Sequence, residues 1–175
     1  MAPCSPDLVA RRPWELAPGR LRALGVRGVL LDLDNTLIPY GYEGPVPEEV
    51  AGWLAELRRA GIAAALVTNA HPRRSLRWGA KLGLPALPFA AKPLPFAIHW
   101  AARRLGVPRP GLLLVGDQVF TDLLGGRLAG VRTALVEPLS PRELPHTGWL
   151  RRLERRCRDR YNGSGSAIGR TEEKR

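Results

Sequence analysis

A chain of 175 residues, 45% hydrophobic and carrying a formal net charge of +11, is long enough to bury a core and too apolar for a disordered protein. Its longest apolar runs, such as residues 61–67, are far too short to span a bilayer, and residues 1–14 hold no apolar stretch of signal-peptide length. Arginine supplies nearly all the positive charge, with lysine only at Lys81, Lys92 and Lys174, so the charge fits a solvated arginine-rich surface as readily as an anionic partner. Two distant cysteines, Cys4 and Cys157, point to a reducing compartment, and a cytoplasmic protein is expected.

Short apolar runs alternate with helical patterns along the chain, which predicts a parallel sheet covered by helices. Ahead of Arg27, a short helix or turn packs through Leu21 and Leu24. Residues 28–33 form the first apolar strand. A helix from about residue 47 carries Val50, Trp53, Leu54 and Leu57 on one face and stops near Gly61. Strand 62–67, helix 72–82 closed by Gly83, a short strand near 86–89 and a helix over 94–105 follow. Then come strand 111–115, helix 120–129 and strand 131–136. Unbroken apolar strands imply burial on both faces, hence an α/β, doubly wound parallel sheet of about five strands. The domain is expected over residues 1–160, with its core at 28–136. A basic helix over about 149–160 and a disordered tail over 161–175 complete the chain.

Each polar group of interest stands just past the end of a strand, the edge where open parallel sheets bind ligands. Asp32 and Asp34 follow the first strand, and alternation puts both on one side. Such a pair repels itself and calls for a cation or a shared proton, although an Asp-rich surface turn is the plainer alternative. Thr68 and Asn69 close the second strand, where hydroxyl and amide groups suit phosphate oxygens and equally suit a helix N-cap. Lys92 stands among Phe89, Pro93 and Pro95, an apolar setting for a residue that is usually solvated. Gly116, Asp117 and Asp122 follow the strand at 111–115, Gly116 allowing a tight turn. Asp117 with Asp32 would suit Mg2+, while Asp122 also reads as a dipole-favoured acid at a helix start.

In this order the four groups, DLDNT at 32–36, TN at 68–69, Lys92 and GDQVFTD at 116–122, resemble the haloacid dehalogenase (HAD) superfamily over about residues 28–136. The Asp-x-Asp-x-Thr form is similar to that of its phosphatases. The proline-containing turn after DLDNTL, the GDQ-x-x-TD-x-x-x-G run and the basic C-terminal end look like the YqeG-type branch, which includes phosphatases of phosphatidylglycerophosphate. Ala70 departs from that pattern, standing where an asparagine is expected.

The resemblance implies a magnesium-dependent phosphomonoester hydrolase. Asp32 would be the nucleophile and Asp34 the acid and base. Thr68 and Asn69 would bind phosphate, and Lys92 would steady the charge. Asp32, the Asp34 carbonyl and Asp117 would hold Mg2+, with Asp122 near its water shell. Family members often carry a cap domain after the first motif or between the second and third. The spacing here leaves no room for one, so an open site is expected, suited to a phosphate on something large. The basic helix at 149–160, with Trp149, Leu150, Leu153 and Cys157 on one face, fits peripheral contact with an anionic membrane, and fits packing on the domain as well. Phosphatidylglycerophosphate is thus the expected substrate. A soluble sugar phosphate or a nucleic-acid end is the second reading, and a non-catalytic nucleic-acid or ribosome-associated module the third. The intact set Asp32, Asp34, Lys92 and Asp117 speaks against the third.

Overall fold

The computed structural model describes residues 5–140. Five parallel strands form one sheet: β1 (Leu8–Ala10), β2 (Gly28–Leu31), β3 (Ala63–Leu66), β4 (Leu112–Gly116) and β5 (Arg132–Val136). Their order across the sheet is β1-β5-β4-β2-β3. Five helices connect them: α1 (Pro18–Ala23), α2 (Glu48–Arg59), α3 (Pro72–Leu82), α4 (Phe96–Leu105) and α5 (Leu124–Ala129).

Alternate residues of the central strands feed two separate apolar layers, which is why the strand sequences are apolar without a break. Val29, Leu31, Leu66, Leu113 and Val115 pack on one face against Leu21 of α1, Val50, Trp53, Leu54 and Leu57 of α2, and Trp78 and Leu82 of α3. Leu30, Ala65, Leu112 and Leu114 pack on the other against Ala97, Ile98 and Ala101 of α4 and Ala129 of α5. The indole N–H of Trp53 donates to the Leu16 carbonyl at 3.0 Å and ties α2 to the N-terminal segment.

The strand count agrees with expectation, but its membership differs. Residues 86–89 make only a single bridge, Ala86 to Leu66, because Pro85 and Pro88 remove the donors a longer ladder needs. The fifth strand is instead β1, parallel to β5 with Val9 opposite Leu135. Three residues are too short to show a period of two, and Val9 is 57% exposed at the sheet edge. Asp7 secures this edge, its carboxylate accepting from the Thr133 amide at 2.8 Å.

Two helix boundaries and one expected packing residue also differ. Of the N-terminal pair, Leu21 is buried but Leu24 is exposed at the end of α1. The helix expected from 94 begins at Phe96, with Pro95 at its N-cap, since a residue before proline avoids helical angles. The helix expected over 120–129 opens with a π-helical turn, Val119–Leu123, before α5. The expected basic helix at 149–160, the expected tail at 161–175, and Cys4 and Cys157 lie outside the described residues. Among the described residues, no subdomain is inserted between β2 and α2 or between β3 and α4, and no helix is long and apolar enough to cross a membrane.

Candidate active site

All parallel strands end at one edge, and the site forms there. Asp32 follows β2 directly; its amide donates to the Val115 carbonyl at 3.0 Å, extending the ladder by one residue. The chain then turns sharply at Asn35, which adopts φ of 63°, a left-handed angle asparagine tolerates better than most residues. The Asn35 side-chain oxygen accepts from the Tyr40 amide at 3.1 Å and from the Ser140 hydroxyl at 2.8 Å, which fixes the turn. Asp32 and Asp34 consequently line the same cleft, of about 470 Å³, with Thr68, Asn69, Lys92 and Arg74.

Lys92 is the electrostatic centre. Its side chain is only 2% exposed, and its Nζ donates to Asp32 Oδ1 and Asp122 Oδ1, both at 2.6 Å. Burial pushes the ammonium down, but the charges of Asp122 and Asp32 more than offset it, so Lys92 is held above the ordinary lysine range and stays protonated. One proline-containing turn delivers it. Ala91 adopts φ of 49°, and the Leu94 amide closes the turn on the Ala91 carbonyl at 3.0 Å.

Asn69 holds that turn from across the cleft. Its side-chain oxygen accepts from the Lys92 amide at 2.8 Å, and its Nδ2 donates to the Lys92 carbonyl at 3.0 Å. The reciprocal pair leaves one amide hydrogen of Asn69 for the cleft. The neighbouring Thr68 hydroxyl accepts from the Ala70 amide at 3.2 Å. Neither residue caps α3; the N-cap is His71, whose Nδ1 accepts from the Arg73 amide at 3.3 Å.

Asp117 and Asp122 lie below, fully buried. One ligand atom each from Asp32, Asp117 and Asp122 falls within 4.8 Å of the others. The Thr36 hydroxyl stands 3.5 Å from both Asp32 Oδ2 and Asp117 Oδ1. Asp122 Oδ2 accepts from the Gln118 amide at 3.1 Å. Burial, with the charge of Asp32 added, pushes the Asp122 carboxyl up to about 6 despite the opposing charge of Lys92. Gly116 is required here by space rather than by backbone angle. A Cβ on it would sit 2.2 Å from the Asp122 carboxyl carbon. The sequence pattern alone suggested a tight turn for this glycine; the close carboxylate is the stronger reason.

Among the described residues, three buried carboxylates gather round the Lys92 ammonium, an excess of acidic groups over cationic ones. An all-oxygen donor set with that excess fits a divalent hard cation.

Sequence reasoning missed Arg74 and Glu43. Arg74 reaches from α3 to grip Asp34 with two nitrogens, Nη2 to Oδ1 at 2.7 Å and Nε to Oδ2 at 3.4 Å. Glu43 in turn pairs with Arg74 and Arg77. The one available signal was compositional: α3 carries Arg73, Arg74, Arg77 and Lys81 with no acid of its own, so its cations must seek partners elsewhere. Burial holds the Asp34 carboxyl above the ordinary carboxylate range; Arg74 opposes that shift and the charge of Asp32 adds to it. Asp34 is thus a carboxyl able to carry a proton next to the nucleophile candidate, Asp32.

A parallel sheet with helices on both faces, bearing buried carboxylates and a bridging lysine at its carboxyl edge, has the architecture of a HAD-type phosphatase. The family described as HAD-hydrolase-like matches residues 89–138. The chain belongs to the HAD-like hydrolases, in the branch of Probable phosphatase YqeG of Bacillus subtilis (strain 168), to which it is 32% identical over 151 residues, 86% of this chain and 87% of that protein. It is accordingly a phosphatase of the HAD type. It is also 32% identical over 130 residues to Phosphatidylglycerophosphate phosphatase 1, chloroplastic, of Chlamydomonas reinhardtii, covering 69% of this chain and 48% of that relative. Among solved structures, a hypothetical protein from Xanthomonas campestris matches with a TM-score of 0.52 at 22% identity, covering 77% of this chain and 73% of that one, a likeness of fold alone.

Proposed function

We propose that the chain hydrolyses the phosphate monoester of phosphatidylglycerophosphate through an aspartyl-phosphate on Asp32. The carrying observation is the pairing of Asp32 with Lys92 at 2.6 Å in a cleft that Asp34 shares and that, among the described residues, no inserted subdomain covers. The likeness to a phosphatidylglycerophosphate phosphatase supports the lipid.

In the first step a carboxylate oxygen of Asp32 attacks phosphorus and the bond to the leaving oxygen breaks, while Asp34 donates its proton to that oxygen. In the second, Asp34 takes a proton from water as the water oxygen attacks phosphorus, releasing phosphate and restoring Asp32. Lys92 holds Asp32 in place and offsets charge as the phosphoryl group is transferred. Thr68 and the remaining Nδ2 hydrogen of Asn69 hold phosphate oxygens, and Asn69 also positions the Lys92 backbone. Asp32, Asp117 and the Asp34 carbonyl would hold Mg2+, with Asp122 beside it; the ion, when bound, supplies positive charge that lets an anionic nucleophile meet an anionic phosphate.

Phosphate release tests this across phosphatidylglycerophosphate in detergent micelles, sugar phosphates and 5′- and 3′-phosphorylated oligonucleotides, each with Mg2+ and with chelator. Mg2+-dependent release favouring the lipid is expected. Efficient release from a sugar phosphate or a nucleic-acid end with the lipid ignored would replace the lipid by that substrate, and full activity in excess chelator would remove the ion.

A further inference from the structure

The large exposed apolar side chains are unevenly placed. Phe89 (50% exposed), Leu94 (58%) and Phe96 (47%) lie within eight residues that flank the buried Lys92 on both sides. They occupy the connection entering α4, and α4 runs back toward the start of β4, so this connection stands at the carboxyl edge with the active site. Tyr40, also exposed, lines the cleft itself. By contrast, Leu24 and Leu128 are isolated, each near the start of a strand at the opposite edge. The turn at Ala91 explains the arrangement: it sends Lys92 inward and leaves the flanking apolar side chains outward.

The neighbouring surface is basic. Helix α3 begins at the same edge, holds no acid of its own and exposes Arg73, Leu76 and Arg77, of which Arg77 is paired with Glu43 and Arg73 is the cation left to face a lipid phosphate. It is locked to the apolar segment by the Ser75 hydroxyl, which donates to the Leu87 carbonyl at 2.6 Å, and by Gly79, whose missing Cβ would lie 2.6 Å from that of Ala86. Apolar and cationic surfaces therefore form one rigid rim beside the cleft.

We infer that this rim, Phe89, Leu94 and Phe96 with the exposed face of α3, is the surface that docks on an anionic lipid bilayer and presents headgroup phosphate to Asp32. Half-exposed aromatic and aliphatic side chains suit the boundary between headgroups and acyl chains, and the adjacent Arg73 suits the phosphates above it. The inference rests on the lipid reading of the same site and is independent of residues 149–160.

Sedimentation of the full chain with phosphatidylcholine–phosphatidylglycerol vesicles, free of substrate lipid, tests it. Wild type is expected to bind, more weakly as salt rises. The variant Phe89→Ser/Leu94→Ser/Phe96→Ser should lose about ten-fold or more in partitioning. The control Leu24→Ser/Leu128→Ser should bind as wild type does. If the triple variant fails to fold, Leu94→Trp serves instead: its added emission should shift to the blue on vesicle addition, and an unshifted emission would overturn the inference. No wild-type binding, equal binding by a folded triple variant, or equal losses in both variants would also overturn it. So would concentration-dependent dimerisation that the triple variant abolishes without vesicle binding, which would assign the rim to a second copy. Micellar hydrolysis of phosphatidylglycerophosphate separates the two readings. Turnover without rim-dependent vesicle binding sinks only the docking surface, and rim-dependent binding without turnover sinks only the substrate.

Discussion

Replacing Lys92 by methionine keeps the apolar stem and removes the one ammonium that stands between Asp32 and Asp122. Two charge-assisted hydrogen bonds of 2.6 Å disappear, and three buried carboxylates are left within 4.8 Å of one another. Removing one partner of a buried ion pair costs about 3–5 kcal/mol, because a charge stays behind without compensation. The cost is bounded here, since the Asp122 carboxyl, already pushed up to about 6, takes a proton once Lys92 is gone. For a domain of this size about 3–5 kcal/mol corresponds to a fall in Tm of roughly 10 °C. Thermal unfolding in chelator is the assay. The double variant Lys92→Met/Asp122→Asn should recover about 1–3 kcal/mol of the loss, since the amide is neutral without the cost of binding a proton at neutral pH. Mg2+ should likewise raise the Tm of Lys92→Met. A Lys92→Met protein within about 0.5 kcal/mol of wild type in chelator would refute the charge balance drawn for the site.

Other changes probe separate parts of the site. Gly116→Ala forces a Cβ against the Asp122 carboxyl and should destabilise by about 1–3 kcal/mol while lowering turnover, read by unfolding and phosphate release together; unchanged values would mean that Asp122 has room to move. Arg74→Ala frees Asp34 from its clamp, so kcat should fall and the basic limb of the pH profile should move upward, because Arg74 is what holds the Asp34 carboxyl down; an unmoved limb would separate Arg74 from the acid. In chelator, Asp122 contributes stability that is present below its unfolded value of 3.8 and lost as pH rises through about 6. The Tm of Asp122→Asn should therefore gain on that of wild type between pH 5 and pH 7.5, and a constant difference would count against the shift.

Most of the candidate site residues were legible because they follow apolar runs read as buried strands, although Lys92 follows residues 86–89, which make only a single bridge. Asp32, Thr68 and Asp117 stand directly after such runs, and the parallel sheet brings them to one edge. Long-range partners were not legible. Arg74 and Asp34 are 40 residues apart, and nothing in either segment encodes which cation meets which acid. Asn69 was read as a phosphate ligand or a cap. Its grip on the Lys92 backbone depends on a turn at Ala91 whose left-handed angle no local pattern announces for alanine. Strand β1 escaped notice because its three residues gain their place from β5 and from Asp7 rather than from any periodicity of their own.

The covalent role of Asp32 is tested most directly by acid-quenching the protein during turnover and locating the phosphoryl group by mass spectrometry. A phosphoryl group on Asp32 itself, absent from a folded Asp32→Asn variant that also releases no phosphate, is the predicted result. Wild-type phosphate release by Asp32→Asn, or a trapped phosphoryl group on another residue, would contradict it.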